Sequence, residues 1–429
     1  MERANRPVTI ELPMPAVVVF LLALAMSLGV AAPAHAAPGA TLFRIFLREA
    51  CGFVLQALGK PSSNVPFMMP KKTAETDPNT QIKIEDVIGS GPFVFVASEW
   101  KPGEKIVFVK NAKYKPRAEP PSGLAGGKVV KVDRVEWVWI PDAQTQVGAL
   151  QSGEIDMLEA PSHDLLPLLA KDKNIQLLNF NPTGNQYTFR FNSTAKPFDD
   201  AKVRKAVFVA FAQEDFLKAT IGDAAYYKVC KALFICGSPL ESLKGTEGYL
   251  ESNFDRARAM LKEAGYDGRP VVVMQSTDLV VLTNLAPVAK DLMTRAGFNV
   301  DMQSMDWQTL VARRAKKDPL DKGGWSAFFT SWGATDVLNP ASTAFLNASC
   351  DKATFGWPCD ATLEKLRDAY AAESDPAKQK AIAEQVQLRV LEYPTHVPLG
   401  QFTTPTALRS NVNGLVSAPS LALWNVEKK

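Results

Sequence analysis

The chain has 429 residues, of which 46% are hydrophobic and 22% are charged. This composition is ordinary for a globular protein and excludes wholesale disorder, while the length favours about two or three domains. The net charge is only +3 and the sequence has no runs of basic residues, which argues against a nucleic-acid partner.

The first segment has the layout of a secretory signal peptide. Arg3 and Arg6 precede an uncharged apolar run over residues 16–32, and a small-x-small motif ends at Ala36. This order predicts export with cleavage after Ala36; an uncleaved membrane anchor is the alternative. We therefore expect residues 1–36 to be removed and the mature protein to lie in the periplasm.

The next predicted elements are mainly strands. Residues 87–114 contain two alternating apolar runs with a turn between them, which predicts a β-hairpin. A third strand follows, in which Trp137 and Trp139 share one face and are expected to lie in the core. A helix over residues 143–150 and a strand over residues 175–180 continue the chain. A strand, helix, strand order predicts an α/β sheet with a crossover.

The second half alternates between helices and strands. Helix-spaced apolar residues begin after Asp199 or Asp200, either of which can cap the helix. Further helices are predicted over residues 254–265, 282–297, 307–316 and 361–392, with strands over residues 271–274, 299–303 and 327–330. We expect this half to form a second α/β lobe, and the tail to return to strands and turns.

The cysteines fit an exported protein. Cys230 lies close to Cys236 and Cys350 lies close to Cys359. Four cysteines allow three connectivities, and proximity favours two disulfides that each close a short loop. Cys51 remains, in a helix-like stretch, and is expected to be a buried free thiol.

Four motifs follow one another in a characteristic order. They are IGSGPF at 88–93, ALQSGEID at 149–156, FNSTAKPFDDAKVRKA at 191–206 and ARAMLKEAG at 257–265. Together they resemble the bacterial extracellular solute-binding proteins of family 5, the receptors of peptide, nickel and related ABC importers. The resemblance covers roughly residues 41–429.

The resemblance implies an α/β, two-lobed periplasmic-binding-protein-like fold of type II. The lobes would surround a cleft, with chain crossings near residues 181–186 and 393–402. The expected organisation is a signal peptide (1–36), a partial first lobe (37–185), a second α/β lobe (186–392) and a C-terminal return to the first lobe (393–429). The first lobe is expected to be incomplete, because family members normally carry a much longer stretch before the segment that begins here at Thr41.

Three candidate ligand contacts follow the strand predicted at residues 327–330. The segment SWGATDVLNP resembles the family loop in which peptide receptors place an aspartate against the ligand's amino terminus. Asp336 is the candidate anchor, with a loop carboxylate or helix cap as the alternative. Trp332 is a candidate cleft wall, with core packing as the alternative, and Asn339 is a candidate polar contact.

Four more candidates lie beside the implied crossings. Asn185 and Tyr187 adjoin the first crossing, and Gln401 and Phe402 adjoin the second. Ligand sites of this kind combine aromatic faces with a few placed polar groups. Their position near the implied hinge makes the four residues candidate ligand contacts.

The function predicted from the resemblance is a non-catalytic receptor that hands a peptide or similar small solute to an ABC permease. A truncated, non-functional relative is the alternative, and a secreted hydrolase is a third class. The three histidines, His35, His163 and His396, are too scattered to favour a metal site or a Ser-His-Asp triad. We expect a monomer without a cofactor or a bound metal.

Overall fold

The computed structural model describes residues 51–60, 68–76 and 82–429, together with the backbone of two short strands before them. The predicted signal peptide and its cleavage site lie outside the described residues, apart from the first of those strands. Within the described ranges, no helix combines the length and the apolar character needed to cross a membrane.

The elements are numbered in chain order. The strands are β1 (Val8–Thr9), β2 (Phe43–Arg44), β3 (Phe93–Phe95), β4 (Lys105–Lys110), β5 (Arg134–Val138), β6 (Met157–Leu158), β7 (Ile175–Leu178), β8 (Asn185–Phe191), β9 (Tyr227–Lys228), β10 (Val271–Ser276), β11 (Val300–Met305), β12 (Ala327–Gly333), β13 (His396–Phe402), β14 (Thr406–Arg409), β15 (Val412–Asn413) and β16 (Glu427–Lys428). The α-helices are α1 (Val54–Leu58), α2 (Lys71–Ala74), α3 (Ala143–Ser152), α4 (Leu166–Leu169), α5 (Ala201–Ala210), α6 (Gln213–Thr220), α7 (Phe254–Glu263), α8 (Val280–Thr283), α9 (Leu285–Arg295), α10 (Trp307–Arg314), α11 (Ala361–Ala372) and α12 (Pro376–Glu392).

The largest sheet has six strands in the order β11-β10-β12-β8-β13-β9. β10 runs parallel to β11 and β12, whereas β8 is antiparallel to both of its neighbours. Tyr187, Phe189 and Phe191 of β8 point into the main hydrophobic core, which α5, α6, α7 and α9 complete. The predicted second α/β lobe therefore surrounds a central strand that is buried from Gln186 onward.

Two three-stranded sheets lie in the other part of the chain, and β1 with β2 and β15 with β16 form two-stranded sheets. β3, β4 and β5 form an antiparallel sheet, which includes the predicted hairpin. β14, near the C-terminus, pairs with β6 and β7. β13 extends the six-stranded sheet, and the chain joins the smaller sheets with β14, after Phe402. The lobe boundary expected at residue 393 stays a prediction.

Side-chain caps fix the starts of several helices. Of the two predicted candidates, Asp200 caps α5 by accepting a hydrogen bond from the backbone N–H of Lys202 at 2.7 Å. Asp375 caps α12 through the N–H of Lys378 at 2.9 Å, and the proline that follows it occupies the first helical position. These caps satisfy donors that a helix leaves unpaired. The helical region predicted over residues 361–392 is therefore divided into α11 and α12, with Asp375 and Pro376 at the restart.

The cysteines pair as predicted. Sγ atoms join Cys230 to Cys236 and Cys350 to Cys359, and Cys51 is a buried free thiol. Each bridge closes a short loop beside the six-stranded sheet.

The expectation for two tryptophans is wrong. Trp137 is 38% exposed and Trp139 is 46% exposed. Trp137 lies in β5 and Trp139 just after its last residue, but among the described strands β5 pairs with β4 alone, at the edge of a three-stranded sheet. Both residues border a cavity rather than a second packed layer.

Candidate functional site

A cavity of about 590 Å³ lies where the chain passes between the six-stranded sheet and the smaller sheets. Pro182 and Thr183 from the first crossing line it, as do Phe402 and Thr403 from the second. The opposite wall comes from the Cys230–Cys236 loop and from residues that follow β12. Its volume lies within the range of about 300–1,000 Å³ that is usual for small-molecule sites.

Gln401 and Phe402, the candidates beside the second crossing, both line the cavity. The side-chain oxygen of Gln401 accepts a hydrogen bond from the backbone N–H of Cys236 at 2.8 Å. This bond holds the disulfide loop against β13, so the amide shapes the wall as well as facing it. Phe402 presents an aromatic surface at the junction of the two walls.

Tyr187 supports Phe402 from the core side. The two rings are stacked, with centroids 4.1 Å apart. Tyr187 is fully buried, and burial raises the pKa of its hydroxyl far above the ordinary value. The hydroxyl has no hydrogen-bond partner among the described residues. The predicted contact residue therefore lies behind the cavity wall.

Asn185 begins β8 and pairs across the sheet with both Gly333 of β12 and Phe402 of β13. It is half-buried. It therefore lies between the two strands that carry other candidates, β12 and β13.

Gln186 was missed by the sequence analysis. It is fully buried, and neither atom of its side-chain amide has a hydrogen-bond partner within the part of the chain that the structure describes. It pairs with Trp332 on one side and with Gln401 on the other. Buried amides are normally paired, so Gln186 provides unused hydrogen-bonding capacity next to two candidate residues. Its position in the sequence, between the candidates Asn185 and Tyr187, could have identified Gln186 as a further candidate.

Trp332 is half-buried near the end of β12. Its indole Nε1–H donates to the hydroxyl of Thr330 at 2.8 Å, and its ring meets Phe345 with centroids 5.5 Å apart. These contacts fit the packing alternative that the sequence left open. The residues after it, Ala334 and Leu338, reach the cavity wall.

Asp336 lies in the single turn of 3-10 helix that follows β12. Its carboxylate is buried and receives the ammonium of Lys60, with Nζ and Oδ1 2.9 Å apart. The turn that carries Asp336 contributes Ala334 to the cavity wall. The candidate anchor is thus a buried carboxylate that binds an ammonium group from the chain itself.

Asn339 stabilises the loop after Asp336. Its side-chain oxygen accepts from the N–H of Ser342 at 2.9 Å, and its carbonyl accepts from the hydroxyl of Thr343 at 2.7 Å. It is buried, so its polar atoms are used within the loop.

His163 joins the smaller sheets to the second crossing. Its Nε2 lies 2.9 Å from the carbonyl oxygen of Thr403, and its ring is 5.6 Å from that of Tyr226. Burial lowers its pKa, which favours the neutral ring. Thr403 and Tyr226 both line the cavity, so His163 supports that wall from behind.

A second cavity, of about 440 Å³, lies between the β3-β4-β5 sheet, the segment that precedes α8 and the first turn of α10. Trp100, Trp137, Trp139 and Trp307 contribute to its walls. Over the described ranges, no group of three or more His, Cys, Asp or Glu side chains is arranged to hold a metal ion.

The sequence matches the family model described as bacterial extracellular solute-binding proteins, family 5 Middle, over residues 7–355. It is 36% identical over 390 residues to the probable peptide ABC transporter periplasmic-binding protein y4tO of Sinorhizobium fredii, covering 90% of this chain and 72% of that protein. It is 24% identical over 359 residues to the oligopeptide-binding protein AppA of Bacillus subtilis, covering 80% of this chain and 61% of that protein.

Two solved structures are similar in fold. AppA of Bacillus subtilis in complex with a nonapeptide superposes with a TM-score of 0.68 at 21% identity, covering 84% of this chain and 72% of that chain. The protein AgaA from A. tumefacien R10 in complex with agropinic acid gives a TM-score of 0.64 at 22% identity, covering 83% and 70% of the two chains. Likenesses at this level of identity concern the fold.

Proposed function

The chain belongs to the bacterial extracellular solute-binding proteins of family 5, and on that premise we propose that it is a periplasmic receptor that captures a peptide or similar small solute and delivers it to an ABC permease. It acts without chemical conversion of the ligand. The two-lobed α/β fold implied by its motifs is the fold of this family.

The observation that carries the proposal is the cavity of about 590 Å³ between the two crossings. Aromatic rings from Tyr226, Tyr227 and Phe402 surround it, and Gln401 supplies a polar group. A concave, mostly apolar space with a few polar groups suits a small organic ligand. Its position at the crossings suits a receptor that closes on its ligand, because hinge residues lie there.

Asp336 gives the site its proposed preference for an amino group. A buried carboxylate binds an ammonium through a charge-assisted hydrogen bond, which is stronger than a neutral one. Asp336 already makes this interaction with Lys60 at 2.9 Å. A peptide's free amino terminus has the same chemistry as the lysine side chain, which favours peptides and other amine-bearing solutes.

The test is titration calorimetry of the protein with free-amine di- to pentapeptides and with their N-acetylated forms. Asp336→Asn should weaken binding of the free-amine peptides about 30-fold, equivalent to roughly 2 kcal/mol, and should leave the acetylated peptides nearly unchanged. Asp351→Asn is the matched control, because this carboxylate is 91% exposed and its surface ion pair contributes little.

The same samples separate the alternatives. A receptor shows ligand-dependent stabilisation by mass action, and mass spectrometry should recover the peptide intact. Hydrolysed peptide would instead support the secreted hydrolase. If no peptide raises the melting temperature or produces heat, the peptide assignment is wrong, and a non-functional relative or a receptor for another solute becomes the working hypothesis.

Export and delivery complete the proposal. The matured protein should begin at Ala37, which N-terminal sequencing of the periplasmic fraction checks. Crosslinking in membranes should join the ligand-loaded monomer to permease subunits.

A further inference from the structure

We propose that Lys60 is a built-in competitor for the ligand: its ammonium occupies the carboxylate of Asp336, and a ligand that brings its own ammonium must displace it. This inference rests on the proposed function, because it concerns regulation of the same site. It assigns the segment of residues 51–60 a role in setting affinity and in selecting between ligands with and without a free amino group.

The ion pair has the geometry of a bound ligand. Nζ of Lys60 lies 2.9 Å from Oδ1 of Asp336, and the two side chains are only 11% and 6% exposed. Water screens such a pair weakly, so the interaction is far stronger than that of a surface pair. An alkylammonium on this carboxylate is chemically equivalent to the amino terminus of a peptide. The incoming amine and Lys60 therefore compete for one partner.

One end of the segment is fixed by close backbone packing. The N–H of Gly52 donates to the carbonyl oxygen of Ala371 at 2.8 Å. A Cβ atom at Gly52 would lie 1.6 Å from the carbonyl oxygen of Glu373, so only glycine fits there. Cys51, directly before it, is buried. The segment is thus tethered where α11 ends, and Lys60 at its other end reaches Asp336.

The middle of the segment is held loosely. Every side chain of α1 is exposed or half-exposed, and Leu55 is 80% exposed. A five-residue helix has little stability of its own, because helices this short depend on packing. Lys60 can therefore leave Asp336 by movement of α1, without loss of contacts in the main core.

This arrangement changes apparent affinity in a defined way. An amine-bearing ligand reaches Asp336 only in the fraction of molecules whose Lys60 has withdrawn, so its apparent dissociation constant is raised by the inverse of that fraction. A tethered competitor acts at a high effective concentration, which is independent of protein concentration. A ligand without an ammonium is not subject to this competition.

The experiment compares Lys60→Met, Lys60→Arg and Lys71→Met by calorimetry with one free-amine tripeptide and its N-acetylated form. Lys60→Met should tighten binding of the free-amine tripeptide at least tenfold and change binding of the acetylated form less than twofold. Lys60→Arg keeps the positive charge and should resemble the unmodified protein. Lys71→Met is the matched control, because the ion pair of Lys71 with Glu75 lies on the surface.

A second variant guards against failure of Lys60→Met to fold once the ion pair with Asp336 is lost. Gly52→Val keeps both charged residues but detaches the tether by collision with the backbone at Glu373, and should also tighten binding of the free-amine tripeptide. Circular dichroism checks that each variant is folded.

Three results decide the matter. If Lys60→Met and Gly52→Val both bind the free-amine tripeptide more tightly and neither changes binding of the acetylated form, Lys60 acts as the proposed competitor. If Asp336→Asn weakens binding of this tripeptide but neither Lys60→Met nor Gly52→Val tightens it, the competitor is overturned and the proposed function stands. If no variant binds either tripeptide, the competitor and the peptide assignment both fail.

Discussion

Tyr187 and Phe402 stack face to face, with ring centroids 4.1 Å apart and planes inclined by 15°. Tyr187 belongs to β8, just after the first crossing, and Phe402 ends β13, at the second. One aromatic pair therefore ties together the two places where the chain passes between the lobes, and one of its rings also faces the cavity.

Phe402→Ala should lower the free energy of unfolding by about 3–5 kcal/mol, as removal of a buried phenylalanine usually does. The substitution should also weaken the binding of every ligand, because it removes part of the cavity wall rather than a contact specific to one ligand. Phe355→Ala is the control, because Phe355 is 37% exposed, and should cost about 1 kcal/mol or less. Urea unfolding measures both; equal losses would show that the stack is not a stabilising contact.

Tyr187→Phe should leave stability unchanged or raise it by about 1 kcal/mol. The hydroxyl of Tyr187 is buried without a hydrogen-bond partner among the described residues, and an unsatisfied buried polar group is unfavourable. Thermal unfolding without ligand tests this directly. Calorimetry with ligand adds a second test: weaker binding by the variant would show that the hydroxyl reaches the ligand, as predicted from its position in the sequence.

Both disulfides should contribute to stability, but only Cys230–Cys236 should also contribute to ligand affinity. Each closes a short loop, so replacing either cysteine pair by serine should lower stability by roughly 2–3 kcal/mol. Cys236 lines the cavity and its N–H donates to Gln401, so the Cys230→Ser/Cys236→Ser variant should also lose affinity. The Cys350→Ser/Cys359→Ser variant is the matched control and should keep it. Equal ligand affinities in the two variants would contradict this distinction.

Much of the fold follows from local sequence patterns. Apolar residues at helical spacing and Asp200 at the start identified α5, and the alternation of helices and strands identified the second lobe. These features depend on interactions between residues close in the chain. The disulfide pairing belongs to the same class, because each bridge joins near neighbours.

Features that depend on contacts between segments far apart in the sequence could not be predicted from local sequence patterns. Alternation in the sequence placed Trp137 and Trp139 on one face of a predicted strand, but only the three-dimensional arrangement shows that both residues border a cavity. Likewise, Asp336 was identified from the residues around it, whereas its partner Lys60 comes from a segment far away in the sequence. The amide of Gln186, which has no hydrogen-bond partner among the described residues, became visible only once both neighbouring strands were in place.

Trp139→Ala should lower the free energy of unfolding by less than about 1 kcal/mol, because nearly half of the side chain remains in water in the folded protein. Trp325→Ala is the contrasting variant. Trp325 is fully buried, and loss of a buried tryptophan costs about 3–5 kcal/mol. Urea unfolding of the two variants should separate them clearly. A loss at Trp139 that matches the loss at Trp325 would restore the original expectation that Trp139 lies in the core.

The last prediction concerns His396 and the dependence of stability on pH. His396 is fully buried; its Nδ1 lies 3.0 Å from the hydroxyl of Thr395, and its ring centroid is 4.3 Å from that of Phe345. Burial, followed by the positive charge of Arg190, lowers its pKa well below 6.5. The folded protein therefore keeps the ring neutral, whereas the unfolded chain binds a proton as the pH falls below about 6.5. The unfolded state then binds more protons than the folded state. The free energy of unfolding must therefore decrease as the pH is lowered below 6.5, by up to about 1.4 kcal/mol per pH unit for one group.

His396→Met removes this titration, so its stability should vary less between pH 6.5 and pH 5 than that of the unmodified protein, whatever its absolute stability. His163→Met is the comparison. Burial lowers the pKa of His163 too, but that ring is only partly buried, so its replacement should flatten the profile less. Urea unfolding at half-unit steps of pH measures the slopes. Parallel profiles for His396→Met and the unmodified protein would mean that His396 is protonated in the folded state or stays neutral in both states, and would refute the prediction.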